Sequence, residues 1–199
     1  MVLHDFWTFF IWSTVAGLAV IGIYQLFLLI LRARGVFVTR TKFGLTMIFD
    51  SEDADGTPIR LLNVNGTFQS VSYIAPELRF EPCVHYHRMM AKVIQQVAPE
   101  GHVVVMGGGG FSLPKYLATH MTGGVIDTIE IDPKIVSLAR EHFFLDEALA
   151  AASSELRVIE DDAWKVLQDA DADSIDVLVN EVFAGRKSLG PLGTPAGAQ

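Results

Sequence analysis

Hydrophobic and polar positions follow three different rhythms along this chain. Residues 6–31, FWTFFIWSTVAGLAVIGIYQLFLLIL, carry no charge. As a helix rising about 1.5 Å per residue they would reach roughly 39 Å, against a hydrocarbon core of about 30 Å. The run predicts a membrane-spanning helix with some tilt. Phe6, Trp7 and Trp12 sit near one end, where aromatic rings favour the membrane interface. A cleaved signal peptide would need a basic start, a shorter apolar run and a small-residue cleavage site. Here the start is MVLHD and the run is followed by RARG. His4 and Asp5 precede the run, whereas Arg32, Arg34, Arg40 and Lys42 follow it. The excess of cations after the run implies a single-pass cell-membrane protein with its C-terminal part in the cytoplasm.

From Val36 the rhythm shortens to two. GVFVTRTKFGLTMIFD alternates as a strand does, SEDADGTP is a polar turn, and IRLLNVNGTFQSVSY reads as two strands joined at Asn65-Gly66. Residues 36–80 therefore predict a small antiparallel β unit, after an anchor over 1–35 and before a larger domain over 81–199. That domain opens with a helix from His85 to Val97, whose apolar stripe is Met89, Met90, Val93, Ile94 and Val97. Strands and helices then alternate: HVVVM, SLPKYLATHM, GVIDTIEI, PKIVSLAREHF, LRVIE, AWKVLQDA and SIDVLVNEVF. Asp132 and Pro133 suit a cap and first position of the fourth of these. Short links between alternating strands and helices predict an α/β fold with a parallel, Rossmann-like sheet. The closing GRKSLGPLGTPAGAQ reads as loop.

Composition narrows the function classes. A formal net charge of −8 in 199 residues excludes a nucleic-acid partner that would need a basic face. One cysteine, Cys83, excludes an internal disulfide and suits a reducing compartment. Cys83, His85 and His87 invite a metal reading, but side chains two apart do not share a helix face and no second ligand pair follows. No metal is expected.

Chemistry concentrates at the strand ends, where ligands bind in open parallel sheets. Gly107, Gly108, Gly109 and Gly110 follow VVVM, Glu130 and Asp132 follow the next strand, and Asp161 and Asp162 follow LRVIE. Four consecutive glycines are entropically costly, so they suggest a ligand lying against bare backbone amides. An acid about 20 residues further on can accept both ribose hydroxyls. Asp162 is placed to meet an adenine amino group. Together these residues predict an adenosine pocket. The G-x-G-x-x-G dinucleotide fingerprint fits imperfectly, with Ser112 at its third glycine, so a nicotinamide-dependent oxidoreductase is the lesser reading.

These motifs resemble those of the spermidine synthase-like branch of the S-adenosylmethionine-dependent methyltransferase fold, over about Thr39 to Gly190. TKFGLTMIFD with RLLNVNGTFQS resembles the family's N-terminal β unit, and YHRMM its Tyr-His-Glu-Met stretch. MGGGGFSLPKYL is similar to its glycine motif, IEIDPKIVSLAREHF to its ribose motif, IEDDAW to its adenine-side motif, and DVLVNEVFAG to the strand and loop of its catalytic aspartate. The resemblance implies aminopropyl transfer from decarboxylated S-adenosylmethionine, or a related use of S-adenosylmethionine, with no metal and a small amine as acceptor. By position Glu130 would hold the ribose, Asp162 the adenine end, and Gly107 and Gly109 the cofactor. Gln69 and Tyr86 would lie toward the substrate, and Glu181 would stand where the catalytic Asp belongs.

Four departures accompany the resemblance. Gly110 replaces the usual aspartate of the glycine motif. Arg88 replaces the Glu after Tyr-His, a cation expected to repel a polyamine. Glu181 is one methylene longer than Asp and lacks an Asp three residues on. Finally, four parallel strands fall short of the family's seven and leave DVLVNEVF as an unpaired apolar edge. Either the chain is a fragment of a longer protein or a homodimer covers that edge. Two function classes follow: a membrane-anchored transferase, or a tethered adenosine-binding module without the chemistry.

Overall fold

The structure is a computed structural model that describes residues 2–184, 187 and 188. The chain divides into two compact units, Met1–Val38 and Thr39–Gln199. The small β unit and the parallel sheet thus fall together in the second.

The first unit is built on helix α1 (Val2–Ala33). Its segment Trp7–Ala33 is long and apolar enough to cross a membrane. The helix closes with a Schellman turn. Gly35 adopts φ +78°, its N–H meets Arg32 O at 3.0 Å, and the Val36 N–H meets Leu31 O at 3.0 Å.

The first sheet of the molecule is a meander of β1 (Phe37–Thr41), β2 (Gly44–Glu52), β3 (Pro58–Val64) and β4 (Thr67–Tyr73), in that order. The alternating run that reads as one strand breaks at Lys42-Phe43 into β1 and β2. The predicted hairpin between β3 and β4 is present, with Asn65 at φ +49° and Gly66 at φ +80°. Two left-handed residues in succession match the right-handed twist of the flanking strands.

The second sheet is parallel and contains β5 (His102–Met106), β6 (Val125–Ile129), β7 (Glu155–Ile159) and β8 (Val177–Asn180), in the order β7-β6-β5-β8. Around it run α2 (His85–Val97), α3 (Ser112–His120), α4 (Pro133–His142), α5 (Leu145–Ala151) and α6 (Ala163–Gln168). Both faces are covered, which is why β5 is apolar at successive positions. Val103 and Val105 pack with Leu113, Leu117 and Ile126 on one side. Val104 and Met106 pack with Ile129 and, on α6, Val166 and Leu167 on the other. The chain leaves β5 toward β6 and β7, then returns to pair β8 with the opposite edge of β5. A crevice opens at such a reversal, outside the carboxyl ends of the strands.

Several expectations are corrected. Helix α5 has no counterpart in the sequence reading. Strand β8 stops at Asn180, so Glu181 and Val182 lie in the turn beyond it. On α2 the buried residues are His87, Ala91 and Ile94, while Met89, Val93 and Val97 face outward. Of the expected stripe, Ile94 is buried and Met90 packs against the core, while Ala91 and a buried histidine complete the contact in place of Met89, Val93 and Val97. The tail SLGPLGTPAGAQ falls outside the described residues apart from Ser188.

Candidate functional site

A cavity of about 450 Å³ opens at the carboxyl ends of β5, β6 and β8. Into it the fold brings Gln69 from β4, Gly107, Gly108 and Gly109 after β5, Glu130 after β6, Asp162 before α6 and Glu181 after β8. Three sequence-predicted residues are not in its lining: Tyr86, Asp132 and Asp161. Residues that pattern reading missed supply most of the walls. Ile129, Ile131, Ile135 and Trp164 form an apolar side, and Phe43, Val64 and Asn65 a lip from the first sheet. Apart from Asn65, legible only as a turn residue, the signal for them is hydrophobicity, which core positions share.

The glycine run has mostly internal reasons. Gly107 takes φ +96°, and a Cβ there would stand 2.8 Å from the Glu181 carbonyl oxygen. A Cβ on Gly108 would meet the Phe111 ring at 2.6 Å, and one on Gly110 would meet Ser70 Oγ at the same distance. Gly109, at φ +51°, has only ordinary contacts. The run is therefore required chiefly by packing between β4, α3 and β8, and a ligand is not needed to explain it. Its amides are also engaged. Gly107 N–H donates to Ile129 O at 2.8 Å, and the N–H groups of Gly108 and Gly109 donate to Glu130 Oε2 at 3.0 and 3.2 Å.

Glu130 is 7% exposed, and its other oxygen accepts from Asp132 N–H at 3.0 Å. Three bonds occupy a carboxylate that offers about four acceptor positions. One position remains for a hydroxyl donor in the cavity, so a grip on two ribose hydroxyls would have to displace a glycine amide. Asp132 acts elsewhere: Oδ1 caps α4 through Lys134 N–H at 2.9 Å, and Oδ2 accepts from Lys42 N–H at 2.6 Å. That second bond fixes the turn holding Phe43, whose carbonyl is held in turn by Asn65 Nδ2 at 2.6 Å. Asp132 thus shapes the cavity lip from outside. Asp161 is half-exposed and pairs with Lys165 at 2.9 Å, and Asp162 caps α6 through Trp164 N–H at 2.9 Å.

Helix α2 supplies His87, buried at 6% exposure, whose Nε2 lies 2.8 and 2.9 Å from the two oxygens of Glu181. Two residues apart in the metal reading, His85 and His87 indeed take different faces, and only His87 reaches the cavity. Arg88 keeps its charge but is not in the cavity lining. Its Nε donates to Pro82 O at 2.7 Å and its Nη2 to Tyr73 Oη at 3.0 Å. Tyr86 is half exposed beside the cavity; burial first, then the Glu181 charge, push its hydroxyl up to about 12.

One further cation lies behind the glycine turn. Lys115 on α3 is fully buried, donating to Ser72 Oγ at 3.0 Å and to Phe143 O at 2.5 Å. Burial pulls its ammonium down to about 7. Next to it Ser112 Oγ donates to Val71 O at 2.7 Å. These bonds pin β4, and with it Gln69, against the first turn of α3.

With this arrangement in view, residues 83–186, just over half of the chain, match the spermine/spermidine synthase domain. The chain belongs to that family. Solved structures agree in fold. A probable spermidine synthase from Corynebacterium glutamicum is 22% identical with a TM-score of 0.59, covering 79% of this chain and 55% of its own. The spermidine synthase from Thermotoga maritima is 16% identical with a TM-score of 0.53, covering 72% and 45%. A spermidine synthase in complex with the transition-state analogue AdoDATO has the same identity and TM-score, covering 72% and 46%. The chain thus spans about half the length of these solved relatives. No curated protein sequence matches it.

Proposed function

We propose that this chain is a membrane-anchored transferase of the spermidine synthase type, which takes a thioadenosine-based sulfonium donor and passes an aminopropyl group to an amine. The observation that carries this reading is the meeting of Gln69, Glu130, Asp162 and Glu181 in one cavity at the switch point of the parallel sheet. The residues fit such a donor. Ile129, Ile131 and Trp164 offer a flat apolar wall for a base, and Glu130 keeps one acceptor position for a ribose hydroxyl. When bound, the donor would supply a carbon made electrophilic by the adjacent positive sulfur, and the C–S bond would break as the new C–N bond forms, releasing the neutral thioether methylthioadenosine. Glu181 would receive the amine on the far side of the glycine turn, orient it and take its proton, work suited to a positioned carboxylate. Gly110 stands where the family's glycine motif carries an aspartate, so Glu181 would face the cationic tail of a decarboxylated S-adenosylmethionine without help from that acid. Helix α1 would hold the enzyme in the membrane, with Arg32, Arg34, Arg40 and Lys42 keeping the catalytic unit cytoplasmic.

A second reading, a pocket kept without chemistry, draws on the engagement of both Glu181 oxygens by His87. Calorimetry on the full chain in detergent separates the two. Binding of methylthioadenosine that Glu130→Ala abolishes, together with turnover of decarboxylated S-adenosylmethionine and putrescine, supports the transferase. Binding without turnover supports the pocket alone, and no binding of any thioadenosine overturns both.

A further inference from the structure

The contact between His87 and Glu181 joins the first turn of α2 to the end of β8, elements distant in sequence. A carboxylate only accepts hydrogen bonds, so the Nε2 atom lying 2.8 and 2.9 Å from its oxygens carries the proton. Nδ1 is buried with no hydrogen-bond partner. A second proton there would leave a buried N–H unsatisfied, which is more costly than a bare lone pair that only loses solvent. The geometry therefore favours one tautomer, with a single proton on Nε2.

The surroundings leave this pair to itself. Arg88 is bonded to Pro82 and Tyr73, and the Tyr86 ring packs 4.3 Å from the imidazole. Gly107 lies directly against the Glu181 backbone, so the pair abuts the glycine turn. One N–H shared between two oxygens leaves most of the acceptor capacity of Glu181 unused.

We propose that His87 is the positioning residue for Glu181: a fixed Nε2–H donor that aims the carboxylate across the glycine turn and leaves it free to accept a cationic or amine N–H group. This deepens the transferase reading and rests on it. A buried histidine that merely completes the core would hold α2 in place without influencing which ligand tail the cavity prefers.

The test uses the full chain in detergent micelles and two ligands, methylthioadenosine without a charged tail and decarboxylated S-adenosylmethionine with one. In the parent chain the charged-tail ligand is expected to bind about tenfold or more tighter, as one charge-assisted hydrogen bond allows. Glu181→Gln should abolish that preference. His87→Ala should cut it several-fold with methylthioadenosine affinity unchanged, and His87→Gln, which still offers an N–H, should restore it. Long-range ¹H–¹⁵N spectra of histidine-labelled protein at neutral pH should show His87 protonated on Nε2 alone. A proton on Nδ1, or His87→Ala with its preference intact, overturns the proposal. So does loss of both ligands alike in both His87 variants, which would make His87 a residue of the fold. Failure of the parent chain to bind methylthioadenosine instead overturns the adenosine-pocket reading and takes this proposal with it.

Discussion

At the scale of single residues, two titratable groups outside the cavity carry measurable consequences. Lys115 has its ammonium held near 7 by burial, whereas an unfolded lysine titrates near 10.4. Between those values the unfolded chain binds more protons, so this residue makes stability rise with pH across that window. Between pH 7 and 9 the gain should approach about 2 kcal/mol, at about 1.4 kcal/mol per unit of pKa difference. In Lys115→Met the rise should vanish, and thermal melts of both proteins at pH 7, 8 and 9 read the difference directly. An equal rise in the variant would show that another group is responsible. His102 has the opposite sign. Burial lowers it, but the Ser174 carbonyl at 2.7 Å and the Asp127 carboxylate at 2.8 Å outweigh that and raise it overall. Two acceptors on the two ring nitrogens call for two protons, so the imidazolium is the stabilising form. Its contribution should be complete below the unfolded histidine value near 6.5 and fade as pH climbs through the higher folded value. His102→Gln should flatten the loss of stability between pH 6 and 8, and a variant as pH-sensitive as the parent would contradict the assignment. The sequence announces neither group, because Lys115 sits on a helix that pattern alone presents as ordinary and the partners of His102 are a backbone carbonyl and a residue one strand away. The same limit explains the acids. Glu130, Asp161 and Asp162 stand at strand ends as read, yet which of them faces the cavity depends on competing local bonds that only the folded chain displays.

Whole elements were read more faithfully than the faces they present. The β3–β4 hairpin was legible because Asn65-Gly66 encodes two left-handed residues, and the structure has both. Strand β5 was legible because a sheet covered on two faces requires an uninterrupted apolar run. Helix α2 has the limits its pattern predicts, but its contact face is only half legible: Ile94 and Met90 pack inward as expected, joined by small Ala91 and polar His87, while Met89, Val93 and Val97 stay exposed. Size and hydropathy alone cannot foresee a buried histidine that has a carboxylate waiting for it. The hairpin also does more than reverse the chain. Asn65 Nδ2 and Oδ1 bond Phe43 O at 2.6 Å and Leu45 N at 3.0 Å, clasping the β1–β2 turn that carries the cavity lip. Asn65→Ala removes both bonds on a half-exposed turn and should lower stability by about 1–2 kcal/mol. If the lip contributes to the pocket, the same variant also weakens methylthioadenosine binding several-fold. Denaturation paired with calorimetry separates the effects: stability lost with affinity intact would confine Asn65 to the hairpin.

For the molecule as a whole, the decisive contrast lies between α1 and everything after it. Folded helices of soluble proteins bury an apolar stripe and expose a polar one. Residues Trp7–Ala33 carry a single charge, Arg32, and no polar stripe of that kind. That much hydrocarbon is costly to leave in water, where burying a single leucine-sized side chain is worth about 1.5–3 kcal/mol. A bilayer would accommodate it, because every backbone group within the helix is already bonded to another. The Schellman turn at Gly35 then ends the helix just after its first two arginines, Arg32 and Arg34, which on the membrane-anchored reading would meet anionic headgroups. The expected outcome is specific. In a Cys83→Ser background, a cysteine introduced in the exposed β2–β3 turn by Asp55→Cys should resist a membrane-impermeant maleimide in intact cells and react fully after lysis. Replacing Arg32, Arg34, Arg40 and Lys42 with glutamine should weaken that bias and let part of the population react from outside. Labelling of Asp55→Cys in intact cells without those changes would place the second unit on the opposite side. Recovery of the chain in the soluble fraction after carbonate extraction would remove the anchor altogether.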